Sequence, residues 1–98
     1  MCLLANTPKI TVGIPTFNGS ATLAATLDSI QAQSFGDFRV IVSDNASTDS
    51  TREICEEYCR ADARFEYHRK EEGIGGIGNF NWVREQASTP YFFFANKA

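Results

Sequence analysis

No stretch of this sequence is apolar for the roughly 20 residues needed to cross a bilayer. The opening Met-Cys-Leu-Leu-Ala is too short, and lacks the charged flank, to be a secretory leader. Cysteine is scarce, and the three present, Cys2, Cys55 and Cys59, do not form an even disulfide set. Histidine is scarcer still. His68 completes a conceivable metal cluster with Cys55 and Cys59, but no fourth ligand has convincing spacing. Cys55 and Cys59, four apart on a predicted helix, read as small buried apolar side chains of a protein kept in a reducing compartment. The expected location is therefore the cytoplasm, with peripheral membrane attachment left open for a complete protein. The glycosylation sequons at Asn18 and Asn45 are expected to go unused. An excess of one charge sign is also missing: nine Lys and Arg face twelve Asp and Glu, a net charge of -3, mixed along the chain. That argues against a nucleic-acid polymer as main partner, because phosphate-backbone binding depends on clustered basic residues. A small anion remains open, since backbone N–H groups at a helix start can hold phosphate without net positive charge.

What is present suits one soluble globular domain over residues 1–98, with 43% hydrophobic and 21% charged residues. Such a chain buries roughly 60–70% of its unfolded surface. Lys9 to Ile14 is β-rich and stops at Pro15, a strand with a forced break. Leu23, Leu27 and Ile30 then recur at helical spacing behind Ser20, a plausible N-cap. Gly36-Asp37 closes that unit and Phe38 to Val42 reads as a second strand. A second helix begins near Ser50, where Ser50 and Glu53 have capping-box spacing. Its apolar face is Ile54, Cys55, Tyr58 and Cys59. Arg64 to His68 alternates as a third, peripheral strand. A glycine-rich stretch leads into a short helix from Asn79, with Phe80, Val83 and Ala87 inward. Tyr91 to Ala95, after Pro90, is by composition a buried fourth strand.

The order β-α-β-α-β-α-β, without repeats or linkers, predicts an α/β fold with a mostly parallel sheet in strand order 3-2-1-4. Ligands of such sheets bind beyond the carboxyl ends of the strands, where the order reverses. Here that point falls between the first and fourth strands. The segments to examine are Pro15 to Asn18, Ser43 to Asp49, and Asn96 onward. Phe17 admits two readings: a stacking surface for a flat base, or a staple over the first helix. Asn18 and Ser20 can cap that helix, whose start also favours an anion. Asp44, directly after Val42, is placed at the crevice mouth, where it can accept a hydrogen bond from a base N–H or a ribose hydroxyl. Asp49 is read as a helix cap or dipole partner rather than a ligand contact.

The stretch from Ile14 to Ile54, with Pro15-Thr16-Phe17-Asn18, Gln33-Ser34-Phe35 and Val42-Ser43-Asp44-Asn45-Ala46-Ser47-Thr48-Asp49, resembles the opening of family 2 glycosyltransferases. Asn79-Phe80-Asn81 and Tyr91 to Phe94 resemble it further on, so the likeness runs from Ile10 to Phe94. It implies a Rossmann-like half of a GT-A fold that binds a nucleotide-diphosphate sugar and transfers the sugar with inversion. By that resemblance Phe17 stacks on the base, Asp44 hydrogen-bonds it, and Pro15 and Thr16 line its pocket. Asn81 matches an asparagine near the diphosphate. Asn18 and Asn45, in the same two segments, complete the candidate nucleotide-binding set. Which base, sugar and acceptor are used stays open.

Gly73 to Gly78 matches the dinucleotide pattern G-x-G-x-x-G letter for letter. It follows the third strand rather than the first, and no strand with a terminal acid lies about 20 residues on. A mobile glycine loop beside the crevice is the better reading. The resemblance also implies Mg²⁺ or Mn²⁺ held by an acidic pair after the fourth strand. There the chain reads Asn96-Lys97-Ala98. Asn96 could offer one oxygen ligand, whereas Lys97 would repel the ion, and no residue is assigned a catalytic role. The 98 residues are expected to be part of a longer enzyme and catalytically incompetent alone. The alternatives are a degenerate nucleotide-binding module, or Lys97 replacing the metal's charge. A further expectation is self-association, as a homodimer, through the Tyr91–Ala95 edge.

Overall fold

A computed structural model describes residues 9–32, 37–87, 89 and 91–95. Its elements are β1 (Ile10–Thr16), α1 (Ser20–Gln31), β2 (Phe38–Asp44), α2 (Thr51–Ala61), β3 (Phe65–Arg69), α3 (Gly76–Gln86) and β4 (Tyr91–Phe94). The four strands form one sheet in the order β3-β2-β1-β4, and every pairing is parallel. This is the α/β architecture that the alternation of elements predicts. Cys2, the Gln33-Ser34-Phe35 motif, Gly36, Pro90, Asn96 and Lys97 lie outside the described residues.

The sheet is packed on both faces. On one side α1 and α2 cover Ile14, Phe38, Val40, Val42 and Phe65, with Leu23, Leu27 and Cys55 pointing down onto them. Ile54, Tyr58 and Cys59 flank that core, as their helical spacing predicts. On the other side α3 presses buried Val83 toward Gly13. A Cβ at Gly13 would collide with Val83 and with the ring of Phe92, so this position of β1 has room only for hydrogen. Side chains alternate along a strand. Thr11, Gly13 and Pro15 therefore look toward α3, while Ile14 and Thr16 look toward α1 and α2. In β2, Val40, Val42 and Asp44 share the α1/α2 face, and Ile41 and Ser43 share the α3 face.

Several local expectations are corrected. Ser20 is the first residue of α1, not its cap; the N-cap is Gly19, and no side chain caps from that position. Ser50 does precede α2, but the capping box with Glu53 does not form. The free N–H groups of both helix starts are satisfied instead from Asp49 and Thr51, described below. The third helix starts at Gly76, three residues before Asn79, because Gly75 takes a left-handed φ of 82° and its carbonyl accepts the Asn79 N–H at 2.9 Å. Half of the expected glycine loop is thus helix. Its inward residues are Asn79 and Val83; Phe80 is exposed and Ala87 lies past the helix end. The apolar fourth strand is not buried on both faces either. It stands at the sheet edge, with Tyr91 60% and Phe93 57% exposed. Phe92 and Phe94 point to the α3 side, where Phe94 meets Phe80 with ring centroids 3.8 Å apart.

Candidate functional site

The two segments after β1 and β2 are built as one unit. The Asn45 N–H donates to the Thr16 carbonyl at 2.9 Å, which extends the ladder one step past the strands. Asn18, at φ 50°, turns its Oδ1 onto the N–H groups of Thr48 (2.8 Å) and Asp49 (3.3 Å). Its own N–H donates to Ser47 Oγ at 2.7 Å. Ala46 is also left-handed, at φ 63°. Asn tolerates that region through local hydrogen bonds, whereas alanine pays for it, roughly 1 kcal/mol. The bonds of Asn18 and Asp44 across the loop offset that cost. Asn18 is thus a clamp between the two loops, with its oxygen already engaged.

Asp49 joins the two helix starts. Its Oδ1 accepts the Thr51 N–H at 2.9 Å and the Thr51 hydroxyl, and its Oδ2 accepts the Ser20 N–H at 3.2 Å. The Thr51 hydroxyl is in turn 3.2 Å from the Gly19 N–H. The sequence reading of Asp49 as a helix-terminus partner matches this arrangement, with two helices rather than one. The Thr51 hydroxyl, more than any other group, holds the carboxyl far below the usual carboxylate range. A carboxylate whose folded pKa is depressed contributes stability that is present above its unfolded value of about 4 and is lost as pH falls through the folded value. Asp49→Asn is therefore expected to be less stable than the parent at neutral pH, with the difference closing on acidification below about pH 4. Urea midpoints at several pH values check this; a difference that persists unchanged in acid would refute it.

Asp44 does not stand at the crevice mouth. It is 0% exposed and faces α2, on the opposite side of the sheet from the pocket. Its Oδ1 accepts the Ser47 N–H at 2.9 Å; its Oδ2 accepts the Tyr67 hydroxyl and lies 3.5 Å from Arg69. Burial first, and then this carboxylate, push the Tyr67 hydroxyl well above the ordinary phenol range. Arg69 also donates to the Ser47 carbonyl at 2.9 Å. Asp44 thus pins the loop that carries Asn45, rather than presenting oxygens to a ligand.

The pocket opens on the α3 face, beyond the carboxyl ends of β1 and β2, with α3 as its far wall. It measures about 290 Å³ and is lined by Pro15, Thr16 and Phe17 from the first segment, Asn45 from the second, and Gly76, Asn79 and Phe80 from α3. This is near the lower limit of roughly 300 Å³ for small-molecule sites. Among the described residues the site straddles β1 and β2; the segment after β4, from Asn96 on, lies outside them. Phe17, 59% exposed, stands at the rim. Buried Asn79 accepts the Ser43 hydroxyl at its Oδ1 and donates from Nδ2 to the Ser43 carbonyl at 3.0 Å. Lys70 Nζ sits 3.1 Å from the same hydroxyl and 3.1 Å from the Trp82 ring centroid, and burial lowers its pKa. A larger depression of about 750 Å³ lies elsewhere, along β3 and α2. It is away from the strand ends where parallel sheets bind ligands, so the smaller pocket is the candidate site.

Asn81 is exposed and outside the lining, and Asn79, two residues earlier, takes the inward place. Asn79 and Phe80 were the residues missed as site residues. The signal that could have found Asn79 is its i,i+4 spacing to inward Val83, since a two-residue step turns Asn81 to the other side of the helix. For the implied divalent ion, no group of three or more His, Cys, Asp or Glu residues able to hold a metal exists among the described residues. Asn96 lies outside them. The described residues do not fit a metal centre, and no chemical step is derived through one.

A parallel 3-2-1-4 sheet with a pocket at its strand ends defines a Rossmann-like α/β half-domain, whose ligand site falls beyond the carboxyl ends of its strands. The model of Glycosyl transferase family 2 matches residues 11–97, and the chain belongs to that family. Among curated relatives, a GalNAc(5)-diNAcBac-PP-undecaprenol beta-1,3-glucosyltransferase of Campylobacter jejuni is 36% identical over 88 residues, covering 89% of this chain and 28% of the relative. Among solved structures, S. aureus TarS in complex with UDP-GlcNAc superposes with a TM-score of 0.83 at 30% identity, covering 91% of this chain and 26% of that one. Mannosyltransferase PcManGT from Pyrobaculum calidifontis, in complex with GDP-Man and Mn²⁺, superposes at 0.73 with 26% identity, covering 83% and 25%. The chain therefore spans about a quarter of the length of these relatives. No helix among the described residues is long and apolar enough to cross a membrane.

Proposed function

We propose that this chain is the nucleotide-sugar-binding portion of an inverting glycosyltransferase, and that alone it holds the donor without transferring the sugar. The observation that carries the reading is the strand-end pocket with one exposed ring, Phe17, at its rim and a second, Phe80, on its far wall. UDP-GlcNAc in TarS and GDP-Man in PcManGT support a nucleoside-diphosphate sugar as the ligand class. In this reading Phe17 stacks on the base, Pro15 and Thr16 form the pocket wall, and Asn45 meets the base edge. Asp44 and Asn18 act one step back, by fixing the loops that carry Asn45 and Phe17. The family resemblance puts Asn81 near the diphosphate, but it is exposed on α3 and outside the pocket lining, so it is given no contact in this reading. Among the described residues the lining holds no carboxylate and no imidazole, so a general base and the ligands of a Mg²⁺ or Mn²⁺ ion would come from other residues. Asn96 stays one candidate ligand. The unpaired thiols Cys55 and Cys59 support a cytoplasmic location.

Titration with UDP, GDP and TDP, followed by NMR, tests the reading. Amide shifts are expected around Phe17 and Asn45 with at least one of the three. Phe17→Ala should weaken that binding about tenfold, since stacking of one base contributes roughly 1–3 kcal/mol. Silence at both positions with all three nucleotides would overturn it.

A second reading, a self-associating module, rests on the outer position of β4, whose edge is unpaired among the described residues, and on the exposed rings of Tyr91 and Phe93. Pairing of two copies along Tyr91–Ala95 would raise the scattering mass with concentration. A constant monomer mass at high concentration counts against it.

A further inference from the structure

The two borders of the sheet are unlike. β4 ends it with four aromatic residues, whereas β3 ends it with Phe65-Glu66-Tyr67-His68-Arg69. Among the described residues no strand pairs with the outer side of β3. The Arg64 carbonyl accepts the Val40 N–H, and the Lys70 N–H donates to the Asp44 carbonyl, each at 2.8 Å. Even-numbered residues of this stretch thus bond to β2, and the backbone groups of odd-numbered ones point outward. The Phe65 N–H turns back to the Asp62 carbonyl at 3.1 Å. That leaves the Phe65 carbonyl and both backbone groups of Tyr67 and Arg69 facing out. The depression of about 750 Å³ follows this edge, lined by Phe65 and Tyr67 from one face of β3, Glu66 and His68 from the other, and Glu56 and Arg60 of α2. Side chains from both faces of a strand share one depression where it runs along the strand's edge. On the α3 face Glu66 holds Arg39 through both carboxylate oxygens and lies 3.3 Å from His68. Both side chains stay partly exposed, at 33% and 41%.

We propose that β3 is a pairing edge for a second copy of this chain, antiparallel about Tyr67, which joins two sheets into one of eight strands. The free backbone groups fit that register. Tyr67 meets Tyr67 of the second copy, and the two exchange N–H···O bonds. Each Arg69 N–H meets the Phe65 carbonyl opposite. Glu66 and His68 then oppose each other twice, at positions between hydrogen-bonded pairs, where Cα atoms approach to about 4.5 Å. An imidazole N–H there donates to a carboxylate. A carboxylate offers about four acceptor sites, of which Arg39 and the neighbouring His68 take three. An edge of a single charge sign would repel its own copy instead. The aromatic run of β4 carries no such rule, since its positions match in any register. In the antiparallel pair the carboxyl ends of the two sheets point in opposite directions, so neither strand-end pocket lies at the junction. The contact is one strand long, so association is weak, with half of the chains paired at about 0.1–1 mM.

Amide hydrogen exchange on the parent chain separates the two borders of the sheet. Raising its concentration from about 20 µM to about 1 mM should slow exchange at Tyr67 and Arg69 about two- to fivefold. In β4 the Tyr91 and Ala95 N–H groups bond to β1, so those of Phe92 and Phe94 point outward. Their exchange should not change. In sedimentation, His68→Glu sets two carboxylates against each other and should weaken pairing about fivefold. His68→Lys, which keeps a donor opposite Glu66, should pair at least as well as the parent. Should His68→Glu fail to fold, exchange in the parent decides alone. A monomer mass at about 1 mM, slowed exchange at Phe92 and Phe94, or a dimer that His68→Glu leaves intact overturns the proposal. Each of these outcomes leaves the pocket reading standing, because the two rest on different edges of the fold.

Discussion

Asp44→Ala is expected to destabilise the chain by about 3–5 kcal/mol, the cost of removing one member of a buried charge network. The carboxylate is fully inside the protein, and three groups lose it together: the Ser47 N–H, the Tyr67 hydroxyl and Arg69. Arg69 keeps the Ser47 carbonyl, but its positive charge loses its counterpart. Domains of this size are stable by only about 5–10 kcal/mol, so the loss removes roughly a third or more of the total stability and a clear drop in the unfolding midpoint is expected near neutral pH. Urea unfolding followed by far-UV circular dichroism measures it. Asp44→Asn, which keeps an oxygen for the Ser47 N–H, should lose distinctly less. The experiment also separates two roles. If Asp44 touched a base directly, Asp44→Ala would bind nucleotide poorly while remaining as stable as the parent. That outcome would overturn the loop-anchoring role found here.

Asn79→Ala is expected to cost about 2–4 kcal/mol, combining two lost buried hydrogen bonds with a small cavity. Asn79 is the buried polar contact between α3 and β2, and its amide is matched end for end to the hydroxyl and carbonyl of Ser43. The Ser43 hydroxyl, which also receives Lys70, would lose its acceptor. Because Gly76, Asn79 and Phe80 form one wall of the pocket, loosening α3 should also weaken nucleotide binding. Chemical denaturation and a nucleotide titration on the same sample check both effects. Asn81→Ala is the matched control, an exposed position two residues on, expected to change stability by less than about 0.5 kcal/mol. Equal losses in the two variants would mean that the Ser43–Asn79 pair does not hold α3 in place.

Much of this architecture was readable along the chain. Strand-like runs up to Pro15 and Val42 alternate with helical spacing at Leu23, Leu27 and Ile30, and that order leaves few topologies besides a parallel sheet, although β1 continues through Pro15 to Thr16 and β2 to Asp44. The same reading located the two segments that bound the pocket, and Asp49 as a helix partner. It misjudged helix starts because the donors of α1 are satisfied from Asp49 and Thr51, about thirty residues away, which no local capping pattern encodes. It also overstated the burial of Tyr91 to Phe94: the predicted strand order already put this strand at the edge, but a run apolar at every position gave no sign that Tyr91 and Phe93 stay exposed there.

The sequence by itself determined the order of elements, the parallel sheet and the segments that meet at its carboxyl end, because hydrophobic period and turn residues are local properties. Only the tertiary structure decided which member of each neighbouring pair faces the pocket: Asn45 rather than Asp44, Asn79 rather than Asn81. The reason lies in the sheet. β2 is buried on both faces, so Val40, Ile41 and Val42 carry no polar alternation that would fix the phase of the residues after them. That phase is set by packing against α2 on one side and α3 on the other. One step along the strand turns a carboxylate into an internal anchor and hands the ligand face to an amide.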